Sequence, residues 1–526
     1  MLEAERLWRL KRRYLPEVFR FQYVLDKTGL RVGFLKSLKF GASQLHVGQD
    51  LPVCELEDSD GLVVGYLLGV AVGPEGLIDG DEMLPFTTRD GDAWRKFERY
   101  LNECAGRFAF FLQIGGEERL HTDPVGMIGA VYERDARRVA SSPLLAIDRE
   151  VVPNIRYQAD CLAELPTRYS LFHTCDEKVK RLNPNFYLNL NTFDVERFWP
   201  RDEVFSLENS NHAETYDEIT ERLAFNIDKI AERHKCAMPI TGGRDSRILA
   251  AVGRESLHKI PFFYTHVKNY NSKVDAHVGA AVAKSLNTPH VVLGTRFGKE
   301  TKRWEQRFLA QAYQISHGSD TAPPKEYVTG ATNAIPSDHL ILRGHQTDLL
   351  RAVYVFKPKA MWSDAEWQIE RMLIVPRRSY NSDICAHFEG DFFAWQATLP
   401  YNAMEKAADF MFLEVYYNST VGASFPALWQ HFYLSPFNSR RLIELSLRFD
   451  EAERRGCLPV FDIVQKASAN CAKVPFLGEG GTHFFEMNQP SDYEPLSQQR
   501  VISTEQRLAA HYGGLPQVEA IAGEGR

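Results

Sequence analysis

The chain is expected to be an α/β protein in two parts, an α+β first half followed by a doubly wound, parallel-sheet second half. Three observations predict this. Between Phe21 and Ile147, short runs of Val, Leu, Phe and Tyr are broken by Gly, Asp and Pro, a strand-and-turn texture. Arg201 to Glu214 (RDEVFSLENSNHAE) is polar and reads as a linker. Beyond it, helical spacing and short apolar runs alternate, as they do where crossover helices join parallel strands. The resulting divisions are residues 1–205, 206–480 and a polar tail of 481–526.

In chain order, MLEAERLWRLKRRYLPEVFRF is basic and amphipathic, and it lacks the uninterrupted apolar core of an export signal. The longest apolar run, Gly61 to Gly73, is too short to span a bilayer, and its glycines suit a buried strand. Asn183 to Pro200 (NPNFYLNLNTFDVERFWP) reads as a hairpin. YDEITERLAFNIDKIAERHK carries a helix, CAMPIT a strand, GGRDSRILAAVG a helix, PFFYTHV a strand, DAHVGAAVAKSLN a helix, and HVVLG and HLILRG two further strands. Past Arg351 the pattern is mostly helical.

Composition narrows the function. With 62 Lys and Arg against 69 Asp and Glu, the net charge of -7 gives no general attraction to nucleic acid or anionic lipid, so any phosphate binding must be local. The eight cysteines stand singly, without metal or disulfide spacing, which suits a reducing cytoplasm. Cys385-Ala386-His387 lacks further ligands nearby and reads as a buried thiol beside a hydrogen-bonded histidine.

The most informative segment is Thr241-Gly242-Gly243-Arg244-Asp245-Ser246-Arg247, set between an apolar strand and a helix start. Two glycines let backbone N–H groups approach an anion at a helix N-terminus, Thr241 and Ser246 add hydroxyls, and Asp245 offers a ligand for magnesium. The alternative is a tight turn in which Asp245 and Ser246 only cap the helix. A rival phosphate loop, Gly294 to Thr301, has one residue too few between its glycines and places Glu300 where a hydroxyl should follow Lys299.

TGGRDS resembles the SGGxDS pyrophosphate loop of the asparagine synthetase-like ATP-pyrophosphatase (PP-loop) family. Further segments follow in that family's order. Asp275 to His290 is similar to its aspartate-led helix, Gly344-His345-Gln346-Thr347-Asp348 to its GEGxDE loop, and Pro436 to Leu445 to its PFLDxRLVEF segment. Upstream, Asp123 to Ala146 and Leu182 to Trp199 resemble the second half of its amidotransferase domain. The resemblance implies an Ntn-amidotransferase-like α+β sandwich ahead of a PP-loop synthetase domain, with ATP and Mg2+ as cofactors.

Departures from the pattern refine this. The family's glutaminase nucleophile is a cysteine at position two, where this chain has Leu2, and neither Cys54 nor Cys104 supplies both a thiolate and a free α-amine. The first domain is therefore expected to be degenerate, as in the family's β-lactam synthetases and lasso-peptide cyclases. In the second departure, His345 and Gln346 replace the family's Glu and second Gly, while Asp348 is kept. Asp348 is expected to share the metal with Asp245; its alternative is a helix cap. His345 is a candidate general base with a pKa near neutrality, oriented by Asp383 or Glu389, or else simply a hydrogen-bonded side chain. Lys473 resembles the family's late lysine that offsets charge on phosphate, with Lys466 in reserve. Arg244 and Arg247 flank the loop and could meet phosphate or a substrate carboxylate, with a nearby acidic surface as the alternative partner of Arg247.

The expected activity is that of an AMP-forming carbon–nitrogen ligase. It adenylates a small-molecule or peptide carboxylate and passes it to an amine, giving an amide, lactam or isopeptide in a natural-product or polysaccharide-modifying pathway. The expected partners are those substrates, with a homodimer open and no nucleic acid or membrane span. Ammonia-dependent asparagine synthesis and a decayed ATP-site scaffold are the alternatives.

Overall fold

The computed structural model describes residues 2–9, 15–80, 83–157, 169–201, 205–208, 211–267, 270–294, 302–319, 321–328, 331–352, 382–474, 476–477, 483–485 and 502–503. The protein is mixed α/β. Its first half contains strands β1 (Tyr23–Asp26), β2 (Lys36–Phe40), β3 (Ser43–Val47), β4 (Val53–Glu57), β5 (Val63–Val72), β6 (Ala105–Ile114), β7 (Glu117–Thr122), β8 (Val131–Glu133), β9 (Arg138–Ala140), β10 (Lys180–Arg181), β11 (Phe186–Asn189) and β12 (Val195–Arg197). They form two antiparallel sheets of six strands each, in the orders β10-β8-β9-β1-β3-β2 and β12-β11-β7-β6-β5-β4.

Alternation explains how the sheets meet. On β6, Ala109 and Phe111 share a core with Tyr23, Leu25 and Leu45 of the other sheet, and the rings of Tyr23 and Phe111 meet edge to face at 5.4 Å. Phe108 and Phe110 turn the opposite way, toward Phe97 of helix α1 (Ala93–Glu103). Both faces of the second sheet are thus covered. The run from Gly61 to Gly73 supplies β5, and a Cβ on Gly65 would lie 1.9 Å from the carbonyl oxygen of Phe111 on the neighbouring strand. Only glycine permits that approach.

The second half opens with helix α2 (His212–Arg233), capped by Asn211, whose side chain accepts from the backbone N–H of Ala213 at 3.0 Å. Its buried face, Ile219, Leu223, Ile227 and Ile230, follows the helical period. Strands β13 (Cys236–Pro239), β14 (Phe262–His266), β15 (Val291–Leu293), β16 (Leu340–Leu342) and β17 (Tyr433–Leu434) make a five-stranded sheet in the order β15-β14-β13-β16-β17, with every pair parallel. Helices α3 (Arg244–Val252), α4 (Tyr270–Ser285), α5 (Arg303–His317) and α6 (Ser382–Gln396) lie between its strands, and α7 (Arg440–Leu447) and α8 (Leu458–Ala467) follow β17. The order reverses at β13, so a crevice is expected between the carboxyl ends of β13 and β16.

Polar groups buried between the halves are closely paired. Glu414 is fully buried and accepts from Asn183 at 2.8 Å, Asn185 at 3.0 Å, Trp395 at 2.7 Å and Arg197 at 2.6 and 2.9 Å. Burial would raise its pKa, but Arg197 overrides that and holds it below the ordinary glutamate value. Arg440, also fully buried, donates to Asn185 and to the backbone carbonyls of Thr122 and Pro184 at 2.8 to 3.0 Å. The segment from Pro436 to Leu445 therefore crosses between the halves.

One feature differs from expectation. The polar tail contributes two strands, β19 (His483–Phe485) and β20 (Ile502–Ser503), which pair with β18 (Phe476–Leu477) as a small antiparallel sheet. Alternation in THFFEM is too short to register as a strand signal by itself. Among the described residues no helix is long and apolar enough to cross a membrane.

Candidate functional site

Three loops leave the carboxyl ends of β13, β14 and β16 and line one cavity of about 410 Å3. Its wall includes Thr241, Asp245, Ser246, Asp275, Arg343, Gly344, His345 and Asp348. The first loop is tightly self-bonded. The Thr241 and Ser246 hydroxyls lie 2.8 Å apart, the Thr241 N–H donates to Ser246 Oγ at 3.1 Å, and the Gly243 N–H donates to Thr241 Oγ1 at 3.1 Å. The Gly242 N–H donates to Asp275 Oδ1 at 2.7 Å, from the first half of α4. Burial raises the Asp275 pKa, opposed by that N–H and by Arg247.

The loop after β16 meets the first at Gly344, where a Cβ would come within 2.8 Å of the Asp245 backbone. This contact brings the acids together. Nη2 of Arg351 donates to Asp245 at 2.8 Å and to Asp348 at 2.6 Å, and Thr347 Oγ1 donates to Asp245 at 2.9 Å. The Tyr417 hydroxyl donates to the other oxygen of Asp348. Asp348 is pushed up to about 6, first by burial and then by the charge of Asp245, against the pull of Arg351 and Tyr417. Burial works against the Arg351 charge, yet the two carboxylates raise its pKa further.

Tyr417 reaches Asp348 from a π-helical turn, Phe412–Tyr417, inside a continuous helical stretch of residues 407–427. That same turn carries Glu414. The interdomain clamp and the site are therefore one turn apart.

The other expected residues fall in several places. Arg247 is fully buried behind the loop, donating to the carbonyls of Val474 and Gly242 and lying 3.7 Å from the Phe476 ring centroid. It supports the loop rather than facing the cavity, a correction to its expected phosphate or carboxylate contact. Arg244 is also buried and does not line the cavity. Lys466 pairs with Asp217 of α2, and Lys473 is exposed at the end of the short helix Ala469–Ala472; neither lines the cavity. The cations at hand are Arg343 and Arg351. Neither stood out in the sequence, although Arg351 lies three residues beyond Asp348, one helical turn.

His345 does line the cavity, but its environment differs from a near-neutral base. Burial, followed by the charge of Arg343, lowers its pKa to about 3. Its ring lies edge-on to Phe425 at 5.3 Å and to Tyr417 at 6.0 Å, and its Nδ1 has no hydrogen-bond partner among the described residues. The imidazole is thus neutral and weakly basic. Gln346 has a φ of 70°, the left-handed conformation that favours glycine. The Asp383 side chain, the Cys385 and His387 side chains, and Thr295 to Thr301 of the rival loop lie outside the described residues.

A divalent ion could be held by Asp245 and Asp348, whose oxygens converge on one point, with phosphate and water filling the remaining positions. It would need the place now taken by Arg351 Nη2. Among the described residues no group of three or more His, Cys, Asp or Glu is set for a metal. No family model matches this chain, and no curated protein matches it.

Proposed function

We propose that the protein is an ATP-dependent, AMP-forming carbon–nitrogen ligase of the asparagine synthetase-like type, with a PP-loop synthetase half and a degenerate amidotransferase-like half. The observation that carries this reading is the meeting of Asp245 and Asp348 from loops after neighbouring parallel strands, beside a Thr-Gly-Gly turn at a helix N-terminus. Such a crevice at the reversal of strand order suits a nucleotide. In the first step a substrate carboxylate oxygen attacks the α-phosphorus of ATP, and pyrophosphate leaves with the bonding electrons. In the second an amine attacks the acyl carbon, loses a proton, and AMP departs.

Within that scheme the Thr241–Ser246 loop would bind the polyphosphate, and Arg351, beside the two acids, would offset negative charge at the phosphate. Magnesium held by Asp245 and Asp348 would neutralise the leaving pyrophosphate. The absence of glutaminase chemistry is supported by the thiols: Cys54 and Cys104 are buried and donate to the carbonyls of Gly80 and Tyr100. Leu2 is buried as well.

The test is ATP–pyrophosphate exchange over a panel of carboxylates with wild-type protein and Asp245→Asn. Exchange by the wild type, lost in the variant, is expected. No exchange with any acid, together with no heat protection by ATP, would remove the reading. One observation favours a decayed, non-catalytic ATP site: Arg351 already bridges the two acids. That alternative predicts neither exchange nor heat protection by ATP.

A further inference from the structure

A second cavity, of about 260 Å3, adjoins the first. The two share Tyr264, His266, Arg343 and His345, which form a throat between them. Beyond the throat the walls are apolar and aromatic, with Leu293, Ile335, Val421, Phe425 and Leu428 among them, and Arg343 is the only Lys, Arg, Asp or Glu among the described lining residues.

Arg343 is held by the sheet, its N–H donating to the Leu434 carbonyl at 2.8 Å. Among the described residues no side chain or carbonyl pairs with its guanidinium. A partly buried guanidinium without an anion is costly, and its planar fork matches a carboxylate. It stands where an acid seated in the apolar cavity would present its carboxylate toward the polyphosphate loop.

We infer that the acyl substrate is a small monocarboxylate with an aromatic or branched apolar body, the body in the second cavity and the carboxylate on Arg343. This rests on the ligase reading above. At about 30 Å3 per water-sized group the cavity holds on the order of nine such groups, the bulk of a phenylacetate or a short branched acid. A dicarboxylate such as aspartate would leave its second charge among apolar walls, where no second Lys or Arg stands among the described lining residues.

The test has two arms on the full chain. In the first, heat protection by phenylacetate and isovalerate, each measured against aspartate, is read without any catalysis; protection by the apolar acids alone is expected, and Val421→Phe, which fills the cavity, should remove it. In the second, ATP–pyrophosphate exchange gives KM values. Arg343→Met should raise KM for phenylacetate roughly tenfold or more and leave KM for ATP unchanged. Val421→Ala, which enlarges the cavity and guards against misfolding of the bulky variant, should shift preference toward phenylpropionate. Exchange with aspartate but not with apolar acids would overturn this inference and leave the ligase reading standing. An Arg343→Met effect on ATP alone would assign the guanidinium to phosphate and overturn the anchoring role. Heat protection by apolar acids without exchange would support the cavity and count against the ligase.

Discussion

Asp245 and Asp348 accept from the same nitrogen atom, Nη2 of Arg351, at 2.8 and 2.6 Å. One guanidinium therefore holds together two carboxylates that would otherwise repel, and it occupies the point an incoming metal ion would need. Arg351→Gln is expected to destabilise the chain by about 3 kcal/mol, because it leaves partly buried acids unpaired. Manganese should protect this variant from heat more than it protects the wild type. Equal protection of both would show that the arginine and the ion do not compete.

The proton on Asp348 gives a pH signature. Its pKa of about 6 lies above the unfolded value near 4, so the folded chain binds the proton more tightly. The contribution of this group is fully present below the unfolded value and is lost as pH rises through the folded one. Asp348→Asn does not titrate. Its stability relative to wild type should rise by about 1–3 kcal/mol between pH 4 and 7 and then level off, as measured by urea unfolding at each pH. A difference that stays flat across this range would refute the raised pKa.

Gln346 is fully buried, with a φ of 70° and neither amide atom hydrogen-bonded among the described residues. Gln346→Gly removes both the backbone strain and the unsatisfied amide. The expected gain is about 1 kcal/mol in urea unfolding, and a loss would mean that the amide has an important partner.

Glu414→Gln keeps the side-chain shape and drops the charge, leaving the Arg197 guanidinium without its counterion. A cost of about 3 kcal/mol is expected. Because Tyr417 sits on the same π-helical turn, the pH transition of Asp348 should shift in this variant as well. A destabilised variant whose transition is unmoved would separate the clamp from the site.

Much of the fold was legible because its signals are local. The longest apolar run marked β5, helical spacing marked α2, and Thr241 to Ser246 stood out as a strand-to-helix turn within six residues. The pairings that shape the site were not, since they join distant residues. Tyr417 meets Asp348 across 69 positions, and Arg247 meets Val474 across 227. No periodicity carries such contacts. The low pKa of His345 depends on burial beside Phe425, which a linear reading does not register.

The donors around Glu414 have a practical corollary. Asn183, Asn185 and Arg197 all come from upstream of the parallel sheet, and only Trp395 belongs to the parallel-sheet half, between β16 and β17. A fragment beginning at the linker would carry an interior anion stripped of its counterion. Trimming the first two hundred residues to isolate the parallel-sheet half should therefore yield an insoluble or unstable product, and binding studies call for the intact polypeptide.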